Sequence, residues 1–138
     1  MLISFNLPHV FNGTAPAEEN AWSLQALLDC LVTLNRAYLR THAVPPLYRS
    51  GVRYGRTSFW EPIPALYKRG YGDCKSLSAA LIAEYQMAGI EAKPVFRWVK
   101  RSDGTSGTDY HILVQTAKGW EDPSKVLGMG QNEWKWFR

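Results

Sequence analysis

The sequence contains no apolar run that approaches the roughly 18 residues a transmembrane helix needs. It contains only two cysteines, Cys30 and Cys74, which are too few for a disulfide framework. The first ten residues have no early basic side chain and are interrupted by Pro8 and His9, so they make a poor secretory signal. We therefore expect a cytoplasmic protein with no membrane segment and with reduced thiols, a single Cys30–Cys74 bridge being the alternative.

Metal and cofactor signatures are also missing. The two cysteines and the three histidines, His9, His42 and His111, show no paired-ligand spacing, and no HExxH motif occurs. The sequence has no Walker loop and no glycine-rich dinucleotide fingerprint. We therefore expect neither a metal nor a cofactor.

The composition is typical of a folded domain. The chain has 138 residues, of which 46% are hydrophobic and 20% charged, and this excludes a disordered chain and suits one domain over residues 1–138. Sixteen basic against twelve acidic side chains leave a net charge of +4. That mild excess permits an anionic partner but does not demand one.

Helical periodicity dominates the sequence up to Gly89, after a short strand or extended arm at residues 2–7. A long amphipathic helix is predicted over residues 16–42, and its apolar stripe consists of Leu24, Leu27, Leu28, Leu31, Leu34 and Tyr38. Cys30 lies beside this stripe, so we predict that it is a small buried side chain. A short helical turn is predicted at residues 65–68, and a second amphipathic helix at residues 74–88, where Gly89 ends it.

Beyond Gly89 the pattern becomes alternating, which predicts strands. We expect strands at residues 95–100 and 110–116, a third strand beginning at Trp120, and a tail that packs back on the body. The polar loop from Ser102 to Thr108 is predicted to be mobile and to edge a cleft. Helices followed by antiparallel strands indicate an α+β fold. In it we expect the long helix to pack near the Cys74 helix, with both covering one face of a small sheet.

Cys74 stands at the first turn of the second long helix, in the segment Gly70 to Lys75. The free N–H groups and the helix dipole at this end favour an anion, and therefore the thiolate form of the cysteine. Lys75 should act in the same direction, whereas Asp73, the predicted N-cap, should oppose it weakly. Gly70 and Gly72 would keep side chains away from an approaching substrate. The N–H of Cys74 could itself donate to an oxyanion.

A nucleophilic cysteine needs a base, and His111 is the candidate among the three histidines. It begins a strand that follows the Cys74 helix, whereas His9 lies in the N-terminal arm and His42 at the end of a basic helix. Taken alone, a histidine is more often a surface or capped core residue. Its occurrence together with a cysteine at a helix start favours the catalytic interpretation.

Asp122 is the candidate that would orient His111. A four-residue loop from Gln115 to Lys118 would place the two residues directly opposite each other. A two-residue turn at Lys118-Gly119 would instead separate them by about 13 Å along the strand. Asp109, two residues before His111 on the same strand face, is the alternative.

The chain resembles the transglutaminase-like core, which is a circularly permuted relative of the papain fold. The resemblance lies in LYKRGYGDCKSL at residues 66–77 and MAGIEAKPV at residues 87–95. In that family a GxC motif begins a helix, and a turn after the helix leads into a strand. A histidine on a later strand and a W…DP segment follow in the sequence. Here YHILV at 110–114 and GWEDPS at 119–124 occupy those places. The resemblance, over about residues 60–127, implies Cys74 as nucleophile, His111 as base and Asp122 as the orienting carboxylate.

The resemblance also implies an activity class. Active members form a thioester at the cysteine and pass the acyl group to water or to an amine, in crosslinking, peptide or isopeptide hydrolysis, or deglycosylation. The partner would then be a protein or peptide amide substrate, with an anionic substrate left open. Trp60, Tyr54 and Gln25 are candidates for a second oxyanion donor. Small one-domain members resemble proteins of bacteria and their phages, so we expect a bacterial, phage or prophage origin.

Two other functions remain open on the sequence. One is a non-catalytic structural or assembly module on the same fold. The other is nucleic-acid binding, because the segment between Asp29 and Glu61 has no acidic residue but several arginines interleaved with aromatic residues. A solvated basic face with core aromatic residues explains that segment more simply, so we do not expect nucleic acid as the partner. The arginines are Arg36, Arg40, Arg49, Arg53 and Arg56.

Overall fold

The computed structural model describes residues 17–100 and 108–130, without the side chains of 17–20, 98–100, 108 and 109. It confirms the predicted α+β fold. The helices are α1 (Ala17–Leu39), α2 (Ile63–Arg69), α3 (Cys74–Met87) and α4 (Pro123–Val126), with a single 3-10 turn at Leu47–Arg49. The strands are β1 (Arg53–Tyr54), β2 (Tyr71–Gly72), β3 (Lys93–Lys100), β4 (Thr108–Thr116) and β5 (Gly119–Glu121). The predicted N-terminal strand, the loop before β4 and the tail lie outside the described residues.

The larger sheet has the order β3-β4-β5 and is antiparallel throughout. Arg97 on β3 lies directly opposite His111 on β4. β5 pairs only with residues 114–116 of β4, so His111 lies beyond the end of that strand. A second, two-residue parallel pair joins β1 to β2, immediately before α3. This small pair was not predicted, because two-residue strands carry no periodicity.

Helix α3 is the centre of the molecule. Every residue from Cys74 to Ala83 is buried, because α1 packs against this helix and β4 and β3 also pack against it. Small side chains such as Ala79, Ala80 and Ala83 allow this close approach on several sides. The prediction that α1 and α3 both cover one face of the sheet is therefore wrong: α3 covers the sheet, and α1 packs chiefly on α3.

The buried face of α1 is rotated from the predicted stripe. Leu34 is 47% exposed, whereas Val32 and Asn35 are buried. The prediction of a buried Cys30 is wrong, since its side chain is exposed. At about 100° per residue, Cys30 lies about 140° from the middle of the buried face. The residues of that face are Leu24, Leu28, Leu31, Val32 and Asn35.

The buried Asn35 links α1 to the start of α2. Its Oδ1 accepts a hydrogen bond of 2.7 Å from the N–H of Ile63. That N–H belongs to the first turn of α2, where no intrahelical acceptor exists. A polar side chain in the middle of an apolar face is thus explained by the helix end that it caps.

Candidate active site

Local backbone chemistry places Cys74 at the start of α3. Asp73 is the N-cap, as predicted, and its side chain accepts from the N–H of Lys75 at 3.3 Å. The two glycines before it also have backbone and packing roles. Gly70 ends α2 with a φ of 84°, and a Cβ at Gly72 would lie 2.6 Å from the Leu66 side chain.

His111 and Asp122 are in direct contact. The distance between His111 Nε2 and Asp122 Oδ2 is 2.8 Å. Asp122 also caps α4, since its side chain accepts from the N–H of Lys125 at 3.3 Å. Burial acts to raise the pKa of Asp122, but the hydrogen bond and charge of His111 outweigh it and the pKa is lowered. The carboxylate therefore accepts a hydrogen bond from the Nε2–H group of His111.

The strand register that permits this contact is neither of the two considered from the sequence. Thr116 pairs with Gly119 and Val114 with Glu121, around a two-residue turn at Ala117-Lys118. Asp122, the next residue after β5, thus comes level with Leu113 and diagonal to His111. Diagonal neighbours in a sheet lie about 7–8 Å apart, which two extended side chains can span.

Cys74 acts on the same imidazole. The hydrogen bond with Asp122, and then that with Cys74, raise the pKa of His111 from 6.5 to about 9, against the opposing effect of burial. Because Nε2 is bound to Asp122, Nδ1 is the ring nitrogen available to the thiol. Cys74 is 9% exposed, while the His111 and Asp122 side chains are 22% and 17% exposed. The structure thus brings the three predicted site residues together at the start of α3, with the thiol the most enclosed of them.

The direct contacts of Lys75 are with groups other than the thiol. Its ammonium is buried, forms an ion pair with Asp73 and donates to the carbonyl of Thr57 at 2.6 Å. Burial raises the pKa of Asp73, and the attraction of Lys75 offsets part of that rise. The lysine therefore compensates the N-cap charge and ties the loop at Thr57 to α3.

Tyr110 is a neighbour of the site that sequence reasoning missed. Burial raises its pKa, and the charges of Cys74 and Asp73 raise it further, so its hydroxyl lies within their electrostatic range. Position 110 alternates with His111 along β4, a pattern that points to the core and not to a site. The signal available in the sequence was its adjacency to the candidate base.

The remaining sequence candidates lie elsewhere or outside the described residues. The His42 ring is exposed and stacks on Tyr38 with centroids 4.1 Å apart, whereas His9 and the side chain of Asp109 are not described. Of the oxyanion candidates, Gln25 donates to Asp29 at 2.8 Å, Tyr54 is buried, and Trp60 is half-buried with its ring 6.0 Å from the Lys75 ammonium.

The basic segment is solvent-exposed, since Arg36, Arg40, Arg49, Arg53 and Arg56 are all exposed. Its aromatic residues do not form a common exposed row, because Tyr54 is buried and Tyr38 stacks on His42. In the part of the chain that the structure describes, no three His, Cys, Asp or Glu side chains are grouped to hold a metal ion. Within the same residues, no helix has the length and apolar character needed to cross a membrane.

A groove of about 230 Å³ opens beside the His111–Asp122 pair. One wall is the Arg97 guanidinium stacked on the Trp120 ring, with its central carbon 4.3 Å from the ring centroid. The groove residues are Arg97, His111, Leu113, Trp120, Glu121, Asp122 and Lys125.

The fold and the site together define an α+β domain in which a cysteine at the start of a central helix meets a histidine–aspartate pair from the sheet. The chain belongs to the transglutaminase-like superfamily, whose family model matches residues 33–124. Domains of this superfamily typically have cysteine-protease-like activity. No curated protein and no solved structure gave a significant match to the chain.

Proposed function

We propose that the protein is a thiol-dependent acyl-transfer enzyme, a cysteine peptidase, amidase or transglutaminase-like enzyme that acts on protein or peptide amides. Cys74 is the nucleophile, His111 its acid and base, and Asp122 the carboxylate that orients the imidazole. The single observation that carries this proposal is the His111 ring, which binds Asp122 through Nε2 and interacts with Cys74 as well. A base held on one side and facing a thiol on the other is the arrangement that nucleophilic catalysis by cysteine requires.

In the first half-reaction the Cys74 thiolate attacks the carbonyl carbon of the amide, and a C–S bond forms. The electron pair of the carbonyl moves to oxygen and then returns as the C–N bond breaks. The proton on His111 Nδ1 passes to the leaving nitrogen, so the amine departs neutral and a thioester remains on Cys74. Asp122 keeps Nε2 protonated throughout and stabilises the charged ring.

In the second half-reaction water or an amine attacks the thioester. His111 Nδ1 takes the proton of the attacking group, the C–S bond breaks, and the Cys74 thiolate is regenerated. The N–H of Cys74, the first residue of α3, has no acceptor within its own helix. It is therefore available to the oxyanion of both tetrahedral intermediates.

Alkylation of Cys74 by iodoacetamide tests this function without a known substrate. The measurement is made in a Cys30→Ser background, because Cys30 is exposed and would react as well. An ordinary thiol with a pKa of about 8.5 is only about 3% thiolate at about pH 7, so pairing with an imidazolium can raise the rate about tenfold or more. We expect His111→Ala to abolish that acceleration.

The matched control is His42→Ala, which removes an exposed histidine that lies on the C-terminal turn following α1. We expect it to leave the alkylation rate unchanged. Equal, slow rates in the parent protein and in His111→Ala would refute the catalytic role of the pair. The alternative of a non-catalytic module on the same fold would then be favoured.

A further inference from the structure

The groove beside His111 lies on the sheet face that α3 does not cover. Ile112 and Val114, which alternate with His111 along β4, are fully buried and belong to the face on which α3 packs. His111, its cross-strand partner Arg97 and the exposed Trp120 belong to the opposite face. The groove is therefore accessible from solvent and ends at the imidazole.

The charges in the groove are unevenly compensated. Glu121 is occupied, since both of its carboxylate oxygens accept from Tyr85 (2.8 and 2.9 Å) and Tyr48 also donates to it. Asp122 is occupied by His111. In contrast, the side chains of Arg97 and Lys125 have no hydrogen bond or ion pair among the described residues. Among the described residues the groove thus offers Arg97 as a cation without an acidic partner, beside Lys125, whose charge helps to lower the pKa of Asp122.

The stacking of Arg97 on Trp120 also limits the orientation of the guanidinium. A guanidinium held over an indole face keeps those N–H donors that do not point at the ring available to a ligand. Two such donors can form parallel hydrogen bonds to one carboxylate. A guanidinium limited in this way is suited to binding a carboxylate.

The chemistry of the proposed reaction indicates which part of a substrate enters the groove. His111 gives its proton to the leaving amine and later takes one from the attacking group, so both must lie on the imidazole side of Cys74. The groove is lined by that imidazole. It lies on the imidazole side of the site, which is the side of the amine component, and Cys74 itself does not line it.

We infer that Arg97 and Trp120 form the subsite for the amine component and select amines that carry a carboxylate close to the scissile bond. The substrate class is then an amide or isopeptide whose leaving or accepting amine belongs to an acidic residue or to a residue with a free carboxylate. This inference rests on the proposed function, and it specifies the substrate class of the same site.

Two probes that differ by one charge test the inference: glutamic acid α-amide and glutamine α-amide. Binding is followed by NMR on Cys74→Ser protein, through the indole N–H of Trp120, which a Trp120→Phe variant assigns. The carboxylate of the acidic probe would form a partly exposed ion pair with Arg97, with two hydrogen bonds. We therefore expect the acidic probe to bind about threefold to tenfold more tightly than the neutral one. We expect Arg97→Met to remove this preference.

Lys93→Met is the matched control, because Lys93 is an exposed cation on the same face of β3, about 13 Å along the strand from Arg97. It should keep the preference for the acidic probe. Arg97→Gln, with a polar side chain of similar length, serves if Arg97→Met disturbs the spectrum of the folded protein. Equal binding of the two probes by the parent protein, or an unchanged preference in both Arg97 variants, would overturn the inference.

A second measurement separates this inference from the proposed function. An activated p-nitrophenyl ester is used to acylate Cys74, and the two probes then compete with water for the thioester. Acylation without preference for the acidic amine leaves the function standing and rejects the subsite. Absence of acylation together with selective binding of the acidic probe rejects the function and leaves an acidic-ligand site at Arg97 and Trp120.

Discussion

The protonation state of His111 depends on the two side chains at either end of its ring. Asp122 contributes the larger effect and Cys74 the next, and together they raise the pKa of His111 to about 9. The charged imidazole is therefore the dominant form at neutral pH. In the proposed reaction a ring that is already charged is ready to protonate a leaving amine.

Replacement of Asp122 by Asn keeps the shape of the side chain but removes its charge. We expect the pKa of His111 to fall from about 9 toward its ordinary value of 6.5, because the strongest stabilisation of the imidazolium is lost. An NMR titration of the His111 ring protons measures the shift. A His111 midpoint that stays near 9 would mean that Asp122 does not set the charge of the base.

At the scale of elements, the start of α3 is joined to the preceding loop by several side chains. Lys75 reaches the Thr57 carbonyl at 2.6 Å, and Ser76 Oγ accepts from the N–H of Glu61 at 3.1 Å. Glu61 in turn binds Arg69, the last residue of α2, at 2.6 Å. The cysteine is thus held by a loop and two helix ends, all fixed by buried or half-buried polar contacts.

Replacement of Lys75 by Met tests this connection. The change leaves the carboxylate of Asp73 and the carbonyl of Thr57 without their buried partner, so we expect the free energy of unfolding to fall by about 3 kcal/mol. Urea unfolding measures it, and Lys68→Met, at an exposed lysine of α2, should cost less than about 0.5 kcal/mol.

A double variant separates the ion pair from simple loss of packing. Asp73→Ser keeps an N-cap side chain but removes the charge, so its combination with Lys75→Met should cost less than the sum of the two single changes. Strict additivity would show that the two side chains do not stabilise the helix start as a pair.

For the whole molecule, the His111–Asp122 pair makes folding stability depend on pH. A pKa of about 9 in the folded state against 6.5 for an ordinary histidine means that the folded state binds the proton more tightly. The stabilisation is fully present below about pH 6.5 and is lost as the pH rises through about 9. At the acid end, the lowered pKa of Asp122 means that the same stabilisation is lost as Asp122 becomes protonated.

The size of the alkaline effect can be measured by urea unfolding at about pH 6 and about pH 9.5. The rise in the pKa of His111 corresponds to at most about 3 kcal/mol in the free energy of unfolding. The partial exposure of the ring reduces this value. We expect the parent protein to lose about 2 kcal/mol more between these pH values than His111→Gln does. Parallel pH profiles for the two proteins would contradict the assigned pair.

Much of the architecture was predictable because it depends on short-range chemistry. The N-cap Asp73, the helix that starts at Cys74 and the change to alternating strands after Gly89 all follow from local backbone preferences and periodicity. The resemblance to the transglutaminase-like superfamily rested on such local motifs, and the family model confirms it over residues 33–124.

Two of the errors concern the rotation or the strand register of elements that were themselves correctly placed. Cys30 was assigned to the buried side of α1, but the buried face is centred near Asn35. The hairpin before Asp122 was assigned one of two registers, but Thr116 pairs with Gly119. In both cases the local pattern identified the element, whereas the neighbouring elements determined where the side chain points.

The sequence by itself determined the order of the main elements, the position of Cys74 at a helix start, and the presence of a histidine on a later strand with an aspartate beyond it. Only the tertiary structure decided that Asp122 reaches His111 diagonally and that Arg97 and Trp120 form a groove beside them. The physical reason is range. Caps, turns and periodicity are set within a few residues, whereas the meeting of side chains from different elements depends on strand register and on how α1, α3 and the sheet pack together.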